Sequence, residues 1–116
     1  MNYYKCSDGT KVSEGVIKSK LSAAYKEFYL FDPVGSCEGC GQPATCTAHI
    51  YPKALCKSSG KTEYIWNPIN WFRSCFSCNL LAENVASNEI KNLLNYEQIL
   101  KVTKMLDPQR YEKMIG

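Results

Sequence analysis

Two cysteine pairs with the same spacing are the strongest chemical signal in this chain of 116 residues. The pairs are Cys37-x-x-Cys40 and Cys75-x-x-Cys78. Four thiolates at about 2.3 Å can enclose one zinc ion tetrahedrally, and a two-residue spacer lets a tight turn present both sulfurs of a pair. Two glycines in the segment Cys-Glu-Gly-Cys-Gly supply the turn that a zinc knuckle needs. The sequence therefore predicts a structural zinc site formed by all four cysteines.

Two alternatives to this site stay open. The first is a rival ligand set with the spacing C-x2-C-x5-C-x2-H, formed by Cys37, Cys40, Cys46 and His49. It would leave the second cysteine pair without a metal, and the alternation of a strand would point Cys46 and His49 to opposite faces. The second alternative is a redox-active cysteine pair, although no βαβ pattern surrounds either pair. An odd number of cysteines in a reducing compartment favours metal binding over a disulfide framework.

His49 is the only histidine in the chain, and its neighbours give it functional interest. Asn70 stands five residues before the second cysteine pair, and Asn79 follows that pair directly. This order resembles the HNH endonuclease family, in its zinc-bound form and in a His-Asn-Asn variant. The junction between Cys78 and Asn79 also looks like that of phage endonuclease VII-type resolvases. The resemblance covers residues 37 to about 84, and a purely structural histidine is the alternative interpretation.

The resemblance implies a fold, an activity and roles for three residues. The fold would be α+β, with a ββα-metal, treble-clef-like core fastened by the zinc site and flanked by N- and C-terminal helices. His49 would be the general base, Asn70 would brace the loop and hold the histidine by hydrogen bonds, and Asn79 would bind a catalytic divalent ion at the start of a helix. The activity would be metal-dependent hydrolysis of DNA, and such small zinc-HNH cores suit a bacteriophage or another mobile element.

The residue types fit the chemistry that this family performs. Hydrolysis of a phosphodiester needs a deprotonated water, and an imidazole with a pKa of about 6.5 suits that task near neutral pH. It also needs a cation to neutralise charge on the phosphate. Asn79 and Glu83 are four residues apart on a predicted helix, so both could reach one Mg²⁺ or Mn²⁺ ion. A surface glutamate is an equally open interpretation of Glu83.

One departure from the family pattern is Ala48, which stands where many members have a metal-binding Asp or His before the catalytic histidine. Glu83 could fill the gap, phosphate and water could complete the shell, or His49 itself could bind the metal. The remaining possibility is a chain that keeps the fold and has lost catalysis. The alternative function is therefore a non-catalytic zinc-knuckle module that binds nucleic acid or a protein.

The charge of the chain permits a nucleic-acid partner without demanding one, since 14 basic and 11 acidic residues leave a net charge of +3. Four basic residues near the predicted site are candidates for contacting phosphate oxygens, and each could equally be a solvated surface charge: Lys53, Arg73, Lys57 and Lys61. Three further lysines, at positions 18, 20 and 26, project from the predicted first helix. They favour a solvated helix face over a phosphate-contacting one.

Hydrophobic periodicity and turn residues predict the elements that position these groups. A helix is expected from Ser13 to about Phe28, a strand from Thr45 to Tyr51 with His49 facing away from the core, and a loop over residues 57–61. A second strand is expected from Glu63 to Trp66. The helices expected after it are Asn79 to about Val85, Ser87 to Leu94, Tyr96 to Leu106, and a short last one capped by Asp107 and Pro108.

Length and composition set outer bounds on the interpretation. A chain of 116 residues with 45% apolar and 22% charged residues fits one folded domain. We expect a single domain over residues 1–116, with its core at 36–86 and helical flanks at 13–30 and 87–115. No apolar run is long enough for a membrane span, and the N-terminus lacks a secretion signal, so a cytoplasmic protein is expected. Cutting both DNA strands with one active site would favour a homodimer.

Overall fold

The computed structural model of the protein describes residues 2–31, 35–84 and 87–116. Within these residues it is a small α+β fold with two two-stranded sheets and five α-helices. None of the helices described is both long enough and apolar enough to cross a membrane.

The central sheet pairs β3 (Cys46–His49) with β4 (Trp71–Ser74) in antiparallel register. Ala48 lies opposite Phe72 and His49 lies opposite Trp71. Because side chains alternate along a strand, the first pair lies on one face of the sheet and the second pair on the other. Ala48 and Phe72 are fully buried in the core. His49 and Trp71 share the other face, which is also covered, and His49 is only 8% exposed. The strand predicted around His49 is confirmed, although it ends at His49.

The second predicted strand is wrong, because residues 63–66 do not form a strand. Thr62–Ile65 is a short 3₁₀ helix instead. Its backbone is satisfied locally: the Tyr64 amide donates to the Lys61 carbonyl at 3.1 Å and the Trp66 amide donates to the Glu63 carbonyl at 3.2 Å. Tyr64, Ile65 and Trp66 are residue types that strands favour, but such content reports burial as much as backbone conformation. The true partner strand, β4, follows the Asn67-Pro68 turn.

The helices predicted near the two ends of the chain are present in the structure. Helix α1 spans Glu14–Phe31, and the Ser13 hydroxyl accepts a hydrogen bond from the Val16 amide at 3.4 Å, as a cap should. Helix α4 spans Tyr96–Leu106, as predicted. Helix α5 spans Pro108–Ile115, and the Asp107 carboxylate caps it through the Arg110 amide at 3.1 Å.

Three other segments depart from the prediction. Helix α3 spans Phe76–Glu83, so it begins earlier than expected, and Val85 lies outside the described residues. The helix expected from Ser87 to Leu94 is only the 3₁₀ turn Asn88–Asn92. The loop expected at 57–61 begins inside helix α2, Lys53–Ser58.

An N-terminal hairpin, which the sequence analysis did not predict, packs beside α2 and the 3₁₀ helix. Strands β1 (Tyr3–Lys5) and β2 (Lys11–Ser13) pair in antiparallel register. Gly9 closes the turn with a φ of 90°, a conformation that glycine adopts readily. The Asp-Gly pair at this turn is a recognised hairpin signal.

Candidate metal centre and adjoining cleft

The four paired cysteines come together in space. The Sγ atoms of Cys37, Cys40, Cys75 and Cys78 all lie within 4.8 Å of one another. Those of Cys40 and Cys75 are 3.7 Å apart. Tetrahedral zinc with Zn–S bonds of about 2.3 Å separates its sulfurs by about 3.8 Å, so the cluster has the size that such an ion requires. Four cysteines near one another could therefore hold a metal ion such as zinc.

The rival ligand set is not assembled. Cys46 Sγ donates to the Ser74 carbonyl at 3.4 Å, and His49 donates to a different backbone carbonyl, described below. In the described ranges, the grouping of candidate metal ligands includes neither residue. The strand alternation between positions 46 and 49 accounts for this separation.

Local backbone geometry shapes the first cysteine pair into a knuckle. The Cys37 amide donates to the Gln42 carbonyl at 2.6 Å, and the Gly41 amide donates back to the Cys37 carbonyl at 2.8 Å. Gly41 has a φ of 82°, which L-residues with side chains rarely adopt. Gly39 serves a different need, since a Cβ there would lie 2.9 Å from Cys78 Sγ. The knuckle therefore needs one glycine for conformation and another for space.

The knuckle is fastened to the central sheet beside it. The Glu38 amide donates to the Arg73 carbonyl at 2.9 Å, and the Glu38 carboxylate accepts from the Arg73 amide at 2.6 Å. The second cysteine pair begins α3 directly after β4, with Cys75 at the helix N-cap. Glu38 and β4 thus bring the two cysteine pairs into one place.

The protonation chemistry of the cluster suits a cation. Burial acts to raise the pKa of Cys37, but hydrogen bonds from the backbone amides of Cys75, Gly39 and Cys40 lower it to about 7. Burial raises the pKa of Cys78, and the neighbouring thiols Cys75, Cys37 and Cys40 raise it further. Four thiolates so close together repel one another, so a bound cation would stabilise the fully deprotonated set.

A cleft of about 460 Å³ lies beside α3 and gathers several of the predicted site residues. His49 enters from β3, Lys53 from the start of α2, and Asn79 with Glu83 from α3. Thr47, Pro52 and Ala54 complete the lining. Asn79 directly follows Cys78 of the cysteine cluster in sequence, so this wall of the cleft is continuous with the cluster.

The backbone carbonyl of Ile65 fixes the histidine ring. His49 Nε2 lies 2.7 Å from this oxygen, and Trp71 Nε1 donates to the same oxygen at 3.0 Å. A carbonyl can only accept, so Nε2 carries the hydrogen and Nδ1 keeps its lone pair. Burial lowers the pKa of His49 to about 4, against the opposing effect of the Ile65 hydrogen bond, and the charge on Lys53 lowers it further. The imidazole is therefore neutral at pH 7, with Nδ1 able to accept a proton.

Asn70 is fully buried and ties together the loop between the two strands. Its Oδ1 accepts from the Tyr51 amide at 2.7 Å, while its Nδ2 donates to the carbonyls of Tyr51 and Tyr64, each at 3.0 Å. Tyr64 precedes Ile65, whose carbonyl holds the histidine. The side chain of Asn70 braces the loop, as the resemblance implies, but its hydrogen bonds reach His49 only through that loop.

The four basic candidates are placed differently from one another. Lys53 lines the cleft. Lys57 instead forms an ion pair with Glu14 at 2.8 Å. Lys61 donates its ammonium to the Leu106 carbonyl, and the guanidinium of Arg73 lies 5.1 Å from the ring centre of Phe28. The cleft is not lined by the other three basic residues, Lys57, Lys61 and Arg73. Contact between these residues and nucleic acid stays a prediction.

Three parts of the site were missed by the sequence analysis. The Ile65 carbonyl is a backbone group, which no side-chain pattern signals. Thr47 lines the cleft and could have been found, since strand alternation places it on the face of His49. Arg110 Nη2 donates to the Glu83 carbonyl at 3.3 Å, so α5 supports the end of α3 that carries Glu83. The sequence gives little indication of this contact, because Arg110 lies 27 residues after Glu83.

The departure at Ala48 has a clear structural setting. Ala48 is fully buried on the core face of the sheet and offers no ligand atom to the cleft. The oxygen ligands that the cleft can offer a hard cation are therefore the Asn79 amide, the Glu83 carboxylate and the Thr47 hydroxyl. Compared with known proteins, the chain matches no family model, no curated protein and no solved structure.

Proposed function

We propose that this chain is a metal-dependent endonuclease that hydrolyses phosphodiester bonds in DNA, built on an HNH-type ββα-metal core. The core would consist of β3, β4 and α3, fastened by zinc on the four cysteines. One observation carries the proposal: His49 is held by the Ile65 carbonyl in a cleft that also contains Asn79 and Glu83. A neutral imidazole whose Nδ1 can accept a proton, in one cleft with hard oxygen ligands, is the combination that metal-assisted hydrolysis needs.

His49 is the general base in this proposal. Its Nδ1 takes a proton from the attacking water, while Nε2–H keeps its hydrogen bond to Ile65 and stabilises the imidazolium that forms. The low pKa keeps the base deprotonated before substrate arrives. A phosphate entering the cleft adds negative charge beside the ring and raises its pKa, so the base strengthens when substrate is bound.

Asn79 and Glu83 supply the oxygen ligands for the catalytic ion. Their spacing of one helical turn lets both face the cleft from α3. When bound there, Mg²⁺ or Mn²⁺ would neutralise charge on the phosphate and stabilise the leaving oxygen. Lys53, at the start of α2, adds a positive charge for a non-bridging phosphate oxygen.

The test is cleavage of supercoiled plasmid in Mg²⁺ or Mn²⁺, with and without chelator. We expect wild-type protein to nick plasmid only with the divalent ion, and His49→Ala to lose at least 100-fold in rate, since general-base catalysis contributes about 10²–10⁴-fold. Asn79→Ala should also lose activity. Its matched control, Asn92→Ala, changes an exposed asparagine in a 3₁₀ turn and should cut normally.

Two results would contradict the proposal. One is cleavage that survives His49→Ala in a protein with its normal zinc content. The other is the absence of metal-dependent cleavage by folded, zinc-loaded wild-type protein.

A second function, a non-catalytic zinc module that binds nucleic acid, is favoured by the buried Ala48. Without a ligand from that position the cleft has few oxygen ligands for a catalytic ion. Equal DNA retention by wild-type protein and His49→Ala, with no cutting by either, would support this function over the nuclease.

A further inference from the structure

Helix α1 carries a second groove, separate from the cleft and unexplained by the chemistry proposed there. Its volume is about 470 Å³, and its lining comes from two turns of the helix: Lys18, Leu21, Ser22, Tyr25 and Lys26. Leu21 and Tyr25 are half-buried and supply apolar surface, while Lys18 and Lys26 are exposed. The groove therefore combines an apolar surface with two positive charges.

Aromatic contacts link this groove to the catalytic histidine. The ring of Tyr25 lies 4.7 Å from that of Trp71 in an edge-on arrangement. Trp71 is in turn 6.1 Å from the ring of His49, and both donate to the Ile65 carbonyl. Tyr25 is thus separated from the proposed general base by a single intervening ring.

A lysine of the groove and a lysine of the cleft act on the same carboxylate at the start of α1. Lys57, Lys18 and Lys53 each lower the pKa of Glu14; Lys18 lines the groove and Lys53 lines the cleft. Glu14 forms its ion pair with Lys57. Throughout the described residues, no ion pair within 4.0 Å involves Lys18, Lys26 or Lys53.

The other side of α1 has a different character. Lys20 lies over the ring of Trp66, 5.6 Å from its centre, and lines a groove that also contains Glu27. The acidic residue of that groove makes it a poorer place for a polyanion. Among the residues that the structure describes, none that lines the face with Lys18 and Lys26 is acidic.

We propose that the α1 groove binds the sugar-phosphate backbone of DNA and leads it to the cleft that contains His49. The inference rests on the proposed function and names a further part of its substrate-binding surface. Lys18 and Lys26 are eight residues apart, or about 12 Å along a helix axis. Phosphates of one strand follow one another about every 3.4 Å along the duplex axis, so the two ammonium groups can contact two different phosphates of the same strand.

The experiment measures DNA binding separately from DNA cutting. Fluorescence anisotropy with a 24-base-pair labelled duplex is run without divalent ion, from 50 to 200 mM KCl. A single strand of the same sequence is run in parallel. The variant is Lys18→Gln/Lys26→Gln, and its control, Lys91→Gln/Lys101→Gln, removes the same charge from exposed sites in the C-terminal helices.

We expect the variant to lose salt dependence as well as affinity. Each phosphate contact contributes a slope of about 0.9 in log affinity against log salt for duplex DNA, and about 0.7 for single strands. The slope should therefore fall by about 1.4 to 1.8 for whichever form wild-type protein binds more tightly. The control should change the slope by less than about 0.5, because it loses only long-range attraction.

The outcomes separate the groove from the nuclease. An unchanged slope in Lys18→Gln/Lys26→Gln overturns the groove even if wild-type protein cuts DNA. A lost slope with no cutting by wild-type protein supports the groove as a DNA-binding surface and overturns the nuclease. Failure of wild-type protein to bind either form of DNA overturns the groove, and the plasmid assay then decides on the nuclease separately.

Discussion

Replacing Gly39 with alanine should weaken zinc binding by the cysteine cluster while leaving the rest of the fold in place. A Cβ at this position would lie 2.9 Å from Cys78 Sγ, 3.1 Å from Cys78 Cβ and 3.1 Å from Leu93 Cδ2. Leu93 is a flexible side chain and can shift. Cys78 cannot, because rotating its sulfur away removes a ligand from the metal.

The size of the effect follows from this restriction. Forcing an extra methyl group into a packed site costs about 1–3 kcal/mol. In the metal-free protein Cys78 can rotate and relieve the clash, so most of the cost falls on the metal-bound state. With about 1.4 kcal/mol for each tenfold change in affinity, zinc should bind about 5- to 150-fold more weakly.

The assay is competition for zinc with a chromophoric chelator, followed for wild-type protein, Gly39→Ala and Gly15→Ala. Gly15 lies in α1, and a Cβ there would meet only Ser13 Oγ at 3.9 Å. That control should keep wild-type zinc affinity and gain about 0.5–1 kcal/mol of stability from better helix propensity. Zinc affinity of Gly39→Ala within about threefold of wild type would show that the close approach to Cys78 is not required.

Two further predictions concern the histidine side of the cleft. The folded-state pKa of His49, about 4, lies below its unfolded value of about 6.5, so the unfolded chain binds the extra proton between these values. The stability that comes from a neutral His49 ring is therefore fully present above pH 6.5 and is lost as the pH falls. In chemical denaturation, the free energy of unfolding of wild-type protein should fall by about 2 kcal/mol more than that of His49→Gln between pH 7 and pH 5. Unfolding free energies that fall equally in the two proteins would refute the lowered pKa. Asn70→Ala removes three hydrogen bonds and leaves the Tyr51 amide and the Tyr64 carbonyl without this partner, while the Tyr51 carbonyl keeps its contact with Cys56 Sγ at 3.5 Å. It should cost at least about 2 kcal/mol in urea unfolding. Asn67→Ala, which removes one exposed bond to the Ile69 amide, should cost about 1 kcal/mol.

Local sequence signals were sufficient to predict the helices whose first turns are capped by a neighbouring side chain. Ser13 and Asp107 cap α1 and α5 through their own side chains, and α4 has the apolar periodicity of a buried helix face. Each cysteine pair was also predictable, because its two-residue spacing encodes a local turn. The caps and each separate pair depend on residues within one or two turns of one another, whereas the contact between the pairs, such as Cys40 with Cys75, joins residues 35 positions apart.

The parts that sequence patterns did not predict depend on distant contacts. β4 was missed because its four residues become a strand by pairing with β3 across a long loop. The tautomer of His49 is set by the Ile65 carbonyl, sixteen residues away, in a segment that the sequence predicts as a strand and the structure shows as a 3₁₀ helix. The buried position of His49 likewise reflects the second, covered face of the sheet, where strand alternation alone predicted an outward side chain.

The two walls of the cleft are held in place by different interactions, and these interactions set the separation of the proposed catalytic groups. On one wall, the cysteine cluster fixes the start of α3 and so the position of Asn79, one residue after Cys78. On the other, Asn70 braces the loop whose Ile65 carbonyl orients His49. The pairing of β3 with β4 then governs the distance between the proposed base and the proposed metal ligands. A rigid gap between the two walls is what catalysis by positioned groups requires, since misplacing reacting groups by about 1 Å can cost about 100-fold in rate.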